Sequence, residues 1–162
     1  MKTKVNIHEF IPQLVQPIFN GQEPRQIDGQ LFVGGNVSYL VSVTRPIYKS
    51  QQHKQTQPHF FGLNGSHLMD RSKLTVLVLA SSKEWIVLKI PSDFLKELPL
   101  YEDPKNDRFL LRVEYDLEAK EWVVLVRDRI SPRISVQKFA HSLRDYKRLC
   151  INLGVKSMIL GR

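Results

Sequence analysis

Leu74-Thr75-Val76-Leu77-Val78-Leu79-Ala80 and Trp85-Ile86-Val87-Leu88-Lys89-Ile90 are two apolar, β-branched runs separated only by Ser81-Ser82-Lys83-Glu84. Such runs read as strands and the polar tetrad as a turn, so the pair predicts a β-hairpin. A second hairpin lies downstream. There Phe109, Leu111, Val113 and Tyr115 alternate with Leu110, Arg112 and Glu114, and Trp122 to Val126 returns after the turn Asp116-Leu117-Glu118-Ala119-Lys120. Two hairpins in succession make the chain mostly β.

Between the hairpins, residues Pro91 to Pro99 predict a short helix: Ser92 is placed to cap it, Asp93 complements its dipole and Pro99 stops it. Upstream, Val37-Ser38-Tyr39-Leu40-Val41-Ser42-Val43 alternates as a half-buried strand does. From Thr44 to Asn64 periodicity fails and acids nearly vanish, which predicts a long exposed loop. Residues 1–30 carry Pro12, Pro17 and Pro24 and read as an N-terminal extension, with Ile11, Leu14, Val15 and Ile18 able to pack a turn or two.

At the other end, Ser135 is a candidate N-cap and Gly154 a candidate C′ residue. Val136, Phe139, Ala140, Leu143, Tyr146, Cys150 and Leu153 share one helical face, with His141, Arg144 and Arg148 opposite. The spacing predicts an amphipathic helix over 135–154. No internal repeat interrupts the pattern, so residues 1–162 are expected to form a single α+β domain.

The hydrophobic fraction of 42%, with two Trp, five Tyr and eight Phe, is enough for a core that needs no disulfide or metal. The one cysteine, Cys150, rules out an intrachain disulfide and a Cys-based zinc site, and it falls on an apolar face where a thiol is structural. No apolar run reaches the ~18 residues of a membrane span, and no signal-like stretch follows Met1. An intracellular protein with no membrane partner is expected. Charge says more. The net value is +8, and residues 127–162 alone hold nine basic residues against two acids. A polyanionic partner is the natural counterpart.

Candidate catalytic chemistry is sparse. Asp107 followed by Glu118-Ala119-Lys120 imitates the D…ExK arrangement, in which two carboxylates hold Mg²⁺ and a lysine supports the attacking water. A small Mg²⁺-dependent nuclease is therefore the enzymatic alternative, although a hairpin turn is a poor mount for such a pair. His8, His53, His59, His67 and His141 show no helical ligand spacing, and only a folded-back loop would bring His53, His59 and His67 to one metal. Gly34-Gly35 forms no phosphate-binding fingerprint, and no cofactor is expected.

Nucleic-acid contacts account better for the residues present. One candidate arm is the loop with Arg45, Lys49, Gln51, Gln52, Lys54 and Gln55; another is Arg127-Asp128-Arg129-Ile130-Ser131-Pro132-Arg133. Arg and Lys neutralise phosphates, while Arg and Gln can also read guanine and adenine edges in the major groove. Arg144 and Arg148 would add phosphate contacts. A module for RNA or protein would use the same basic surface. Single-strand preference would call for exposed aromatics on a sheet, whereas Phe109 and Tyr115 read as core.

The run Trp85 to Pro99, a strand ending in Ile90-Pro91, a short helix, then Leu98-Pro99 and a new hairpin, resembles the DNA-binding pseudobarrel domain. That fold occurs in plant B-three-type transcription factors and in the effector domains of EcoRII-type restriction endonucleases. The resemblance covers residues 85–133. It implies an open β pseudobarrel of seven strands that grips the major groove with two arms, one of them matching Arg127 to Arg133. The C-terminal helix and the Pro-rich start are additions to that barrel. The expectation is thus a module recognising double-stranded DNA within a restriction or regulatory system. Any nuclease or NTPase activity would belong to another domain or subunit.

Overall fold

The computed structural model describes residues 24–44, 58–79, 86–126 and 133–142. Its strands are β1 (Arg25–Asp28), β2 (Leu31–Gly34), β3 (Val37–Thr44), β4 (His59–Asn64), β5 (Leu74–Leu79), β6 (Ile86–Pro91), β7 (Tyr101–Asp103), β8 (Arg108–Asp116), β9 (Glu121–Leu125), β10 (Ile134–Ser135) and β11 (Ala140–Ser142). Helical elements are short: a π-helical turn His67–Arg71, helix α1 (Ser92–Lys96) and a 3-10 turn Gln137–Phe139. The chain is mostly β, with strands making up 60% of the described residues.

The first sheet runs β1-β2-β3-β5-β6-β11 and the second β10-β9-β8-β4, with β7 also pairing β8. β3 and β5 are parallel; the other pairings are antiparallel. β8 organises the second sheet. Along one edge it pairs β4, and along the other it pairs β7 up to Leu110 and β9 from Arg112 onward.

The two sheets enclose one core. Leu40, Leu77, Leu79, Leu88 and Ile90 of the first sheet meet Phe61, Leu63, Leu111, Val113 and Val124 of the second. Leu68, Leu95 and Val136 join the same cluster from the π-helical turn, α1 and the residue before the 3-10 turn. The first sheet is also apolar on its other face, where Phe32, Tyr39, Val41, Val76, Val78 and Val87 are buried. Burial on both faces explains why Leu74 to Leu79 is a nearly continuous apolar run instead of an alternating one. It also takes β3 beyond the half-buried strand expected of it, since Tyr39, Leu40, Val41 and Ser42 are all buried.

Among the described residues the sheets do not close into a barrel. They are bridged by Gln30, in the turn between β1 and β2. Its amide donates to the Gly62 carbonyl at 3.0 Å and accepts from the Asn64 N–H at 2.9 Å, supplying β4 with the rung a neighbouring strand would give. The Gln30 carbonyl accepts from the Val41 N–H at 2.9 Å, so one residue ties β3 to β4.

Four expectations are corrected. The stretch read as loop to Asn64 ends in a strand, because His59, Phe61 and Leu63 face the core and pair with β8. The extension read as 1–30 contains β1, which pairs β2. Ser92 does not cap α1; its buried hydroxyl bonds Ser72 Oγ at 2.8 Å and Thr75 Oγ1 at 2.9 Å. The helix expected over 135–154 is not formed at 135–142, where β10, a 3-10 turn and β11 follow one another. Val136 and Phe139 match helical spacing because the 3-10 turn also places residues three apart on one side, and the Phe139 N–H donates to the Val136 carbonyl at 2.9 Å. Residues 143–154 of that segment lie outside the described residues.

Candidate nucleic-acid interface

Two of the basic segments are rooted on opposite edges of the second sheet. Residues 45–57, with Arg45, Lys49 and Lys54, connect β3 to β4. Their root is fixed: Thr44 Oγ1 and His59 Nδ1 lie 3.3 Å apart, joining the residue before the segment to the first residue of β4. His59 is only 4% exposed, and burial pushes its imidazole down to about 4, against the opposing pull of a hydrogen bond with the Thr44 backbone. The imidazole is neutral at physiological pH and makes a buried polar contact between β3 and β4.

Residues 127–132, with Arg127 and Arg129, connect β9 to β10, two antiparallel strands paired through Ile134↔Val124 and Ser135↔Val123. On the near side, Val126 is buried. On the far side, Arg133 reaches Asp116 at 2.7 Å. Asp116 also accepts from the Glu118 N–H at 3.0 Å and the Ala119 N–H at 3.2 Å, so one carboxylate closes the β8–β9 turn and holds the arm's last arginine. The Ala119 N–H first, then Arg133, hold the Asp116 carboxyl below the usual carboxylate range.

His59, Val113, Val124 and Ile134 form a single cross-strand row over β4, β8, β9 and β10. Three strand spacings put the two roots about 14 Å apart. That is comparable to the ~12 Å width of a DNA major groove.

Of the residues singled out for DNA, Arg133 is described and is committed to Asp116. Arg45, Lys49, Lys54, Arg127, Arg129, Arg144 and Arg148 lie outside the described residues. The charge partition is nevertheless sharp. Of the net +8, residues 45–57 carry +3, 127–132 carry +1 and 143–162 carry +4.

The D…ExK residues do not converge. Asp107 and Glu118 flank opposite ends of β8, a strand about 27 Å long. Asp107 is occupied locally, accepting from Ser66 Oγ at 2.7 Å while its carbonyl takes the Gly65 N–H at 2.8 Å. A Cβ at position 65 would sit 2.5 Å from Asp107 Oδ1, so a larger residue there would displace the Asp107 carboxylate. His59 and His67 also keep separate partners, Thr44 and, at 3.4 Å, Asp28. His53 and Cys150 lie outside the described residues. His141, expected beside Arg144 on a helix, is instead on β11 opposite Val87.

The outward face of the second sheet carries residues that the sequence pattern did not single out. Strand alternation turns Phe60 and Gly62 of β4, Arg108, Leu110 and Arg112 of β8, and Tyr101 of β7 away from the core. Phe60 is 43% exposed and Tyr101 38%. The signal was present in His59-Phe60-Phe61-Gly62-Leu63, where two adjacent aromatics must point to opposite faces once the segment is a strand. Among the described residues, no helix is long and apolar enough to cross a membrane. No protein-family model matches the chain, and no curated protein or solved structure matches it at the significance required.

Proposed function

We propose that the chain is a double-stranded-DNA recognition module in which a β scaffold carries basic segments that engage the duplex. The observation behind this reading is the distribution of charge along the sequence: of the net +8, residues 45–57 carry +3, 127–132 carry +1 and 143–162 carry +4. A uniformly basic surface would serve solubility. Positive charge gathered into connecting segments, two of them rooted about 14 Å apart on one sheet, fits contact with a regular polyanion.

The division of labour follows from the chemistry. Arg45, Lys49 and Lys54 on one segment, and Arg127 and Arg129 on the other, would neutralise phosphates and release counterions. Arg127, Arg129 and the Gln residues of 45–57 are the candidates for base-edge contacts. Asp116 sets where the second segment re-enters the sheet by holding Arg133. Arg144 and Arg148 would extend the phosphate footprint. Target recognition in a restriction or regulatory system is the setting proposed for such a module, with any cleavage or NTPase activity in another domain or subunit.

The test is duplex binding by two variants, Arg45/Lys49/Lys54→Ala and Arg127/Arg129→Ala, across a salt series. Each phosphate contact removed should lower the slope of log K against log salt by about 0.9. Unchanged slope and affinity in both variants would refute the proposal.

A further inference from the structure

Resting on the nucleic-acid reading above, we infer that the open part of the second sheet's outward face is a stacking surface for unpaired nucleobases, built on Phe60 and Tyr101. The register places these rings. Phe60 is opposite Arg112, and in the adjacent outward row Gly62, Leu110 and Tyr101 lie side by side across β4, β8 and β7. Two strand spacings across and one residue pair along put the two aromatic positions about 12 Å apart on the same face. Each ring can therefore take its own base.

The ground between them is flat, and its charges are balanced, with Asp103 in register with Arg108 and Glu114 paired to Arg112. Gly62 contributes no side chain, and a Cβ there would meet Leu110 and Arg108 at ordinary contact distances of 3.6 and 3.8 Å. Glycine at this position therefore leaves space without relieving a clash. Arg108 lies alongside it, with Nη1 3.4 Å from the Gly62 carbonyl, and forms no ion pair among the described residues. Arg112 is oriented by Glu114, at 3.2 Å from Nε and 2.7 Å from Nη2.

A lone ring in water needs no explanation. Here two rings share a face whose smaller apolar residues, Val123 and Leu125, are buried on β9. One ring stands on β4, an edge strand of its sheet, where an exposed apolar side chain invites unwanted pairing. Aromatic rings beside arginines on an open sheet suit bases whose π-faces are free, as in single strands or locally opened duplex.

The experiment uses the full chain with labelled oligothymidine, oligouridine and a duplex, titrated at low salt and at high salt where phosphate contacts fade. Phe60→Ala and Tyr101→Ala should each weaken single-strand binding about 10-fold, with duplex affinity and the salt slope retained. Phe60→Trp should hold or tighten single-strand binding. The oligouridine arm reports whether ribose is accepted, and a loss on either strand in Phe60→Ala supports the surface. Duplex binding by wild type with single-strand affinity equal in wild type, Phe60→Ala and Tyr101→Ala overturns the stacking surface and leaves the duplex proposal standing. Single-strand binding that depends on Phe60 without any duplex binding supports the surface and refutes the duplex proposal. Binding to neither polymer removes both.

Discussion

Replacing His59 by Gln should abolish most of the protein's loss of stability between pH 7.5 and pH 5. The imidazole is 4% exposed, and burial holds it at about 4 against an ordinary value of 6.5. Because the folded value is depressed, the unfolded chain binds the proton first. His59 therefore favours folding fully above pH 6.5, and this contribution declines as pH falls towards 4. A 2.5-unit difference corresponds to about 3 kcal/mol in full, of which about 2 kcal/mol is lost by pH 5. For a chain of this size that lowers the melting temperature by roughly 4–8 °C. Thermal and urea unfolding of wild type and His59→Gln at pH 7.5, 6 and 5 would measure it. Asp116, whose carboxyl is held low, loses its contribution only as pH falls through the carboxylate range and so leaves this window largely unaffected. An equal decline in both proteins would refute the assignment of the acid sensitivity to His59.

Three further outcomes follow from the packing. Leu77→Ala, at a fully buried position of the shared core, should cost about 2–5 kcal/mol in urea unfolding. Gln30→Ala should cost about 1–3 kcal/mol, because it strips partners from the Gly62 carbonyl and the Asn64 N–H together; Gln30→Glu, which keeps an acceptor for Asn64 but sets a carboxylate against the Gly62 carbonyl, should be no better. Asp116→Asn should keep the turn contacts to Glu118 and Ala119 through its amide oxygen and lose the ion pair with Arg133, so it should fall between wild type and Asp116→Ala in stability.

What could be read from the residues was what local chemistry decides. The β5–β6 and β8–β9 hairpins need only β-branched runs and a short polar turn, and both pair as expected. α1 lies within the Pro91 to Pro99 segment for the same reason. The misses share a non-local cause. β4 carries Gly62 and begins with a histidine, and nothing nearby announces that His59, Phe61 and Leu63 will meet β8 some fifty residues later. β1 is exposed along its length and is a strand only because β2 pairs with it. At 136–140, apolar residues spaced for a helix serve a 3-10 turn and an edge strand instead. The parallel β3–β5 pairing leaves no local mark at all.

The site divides in the same way. The concentration of charge into segments was visible in composition, and the strand pairings add where two of those segments are rooted. The contact between Thr44 and His59 and the Asp116 anchor for Arg133 depend on pairings that only the fold creates. Phe60 and Tyr101 became candidates only when strand register put them on one outward face.

The most direct test of the duplex-recognition proposal is fluorescence anisotropy of the full chain against labelled duplex DNA, without metal, over a salt series starting near ~50 mM. Tight binding that weakens linearly in log salt, with a slope reflecting several phosphate contacts, is the predicted result. Negligible duplex binding at the lowest salt, where phosphate contacts are strongest, would contradict it.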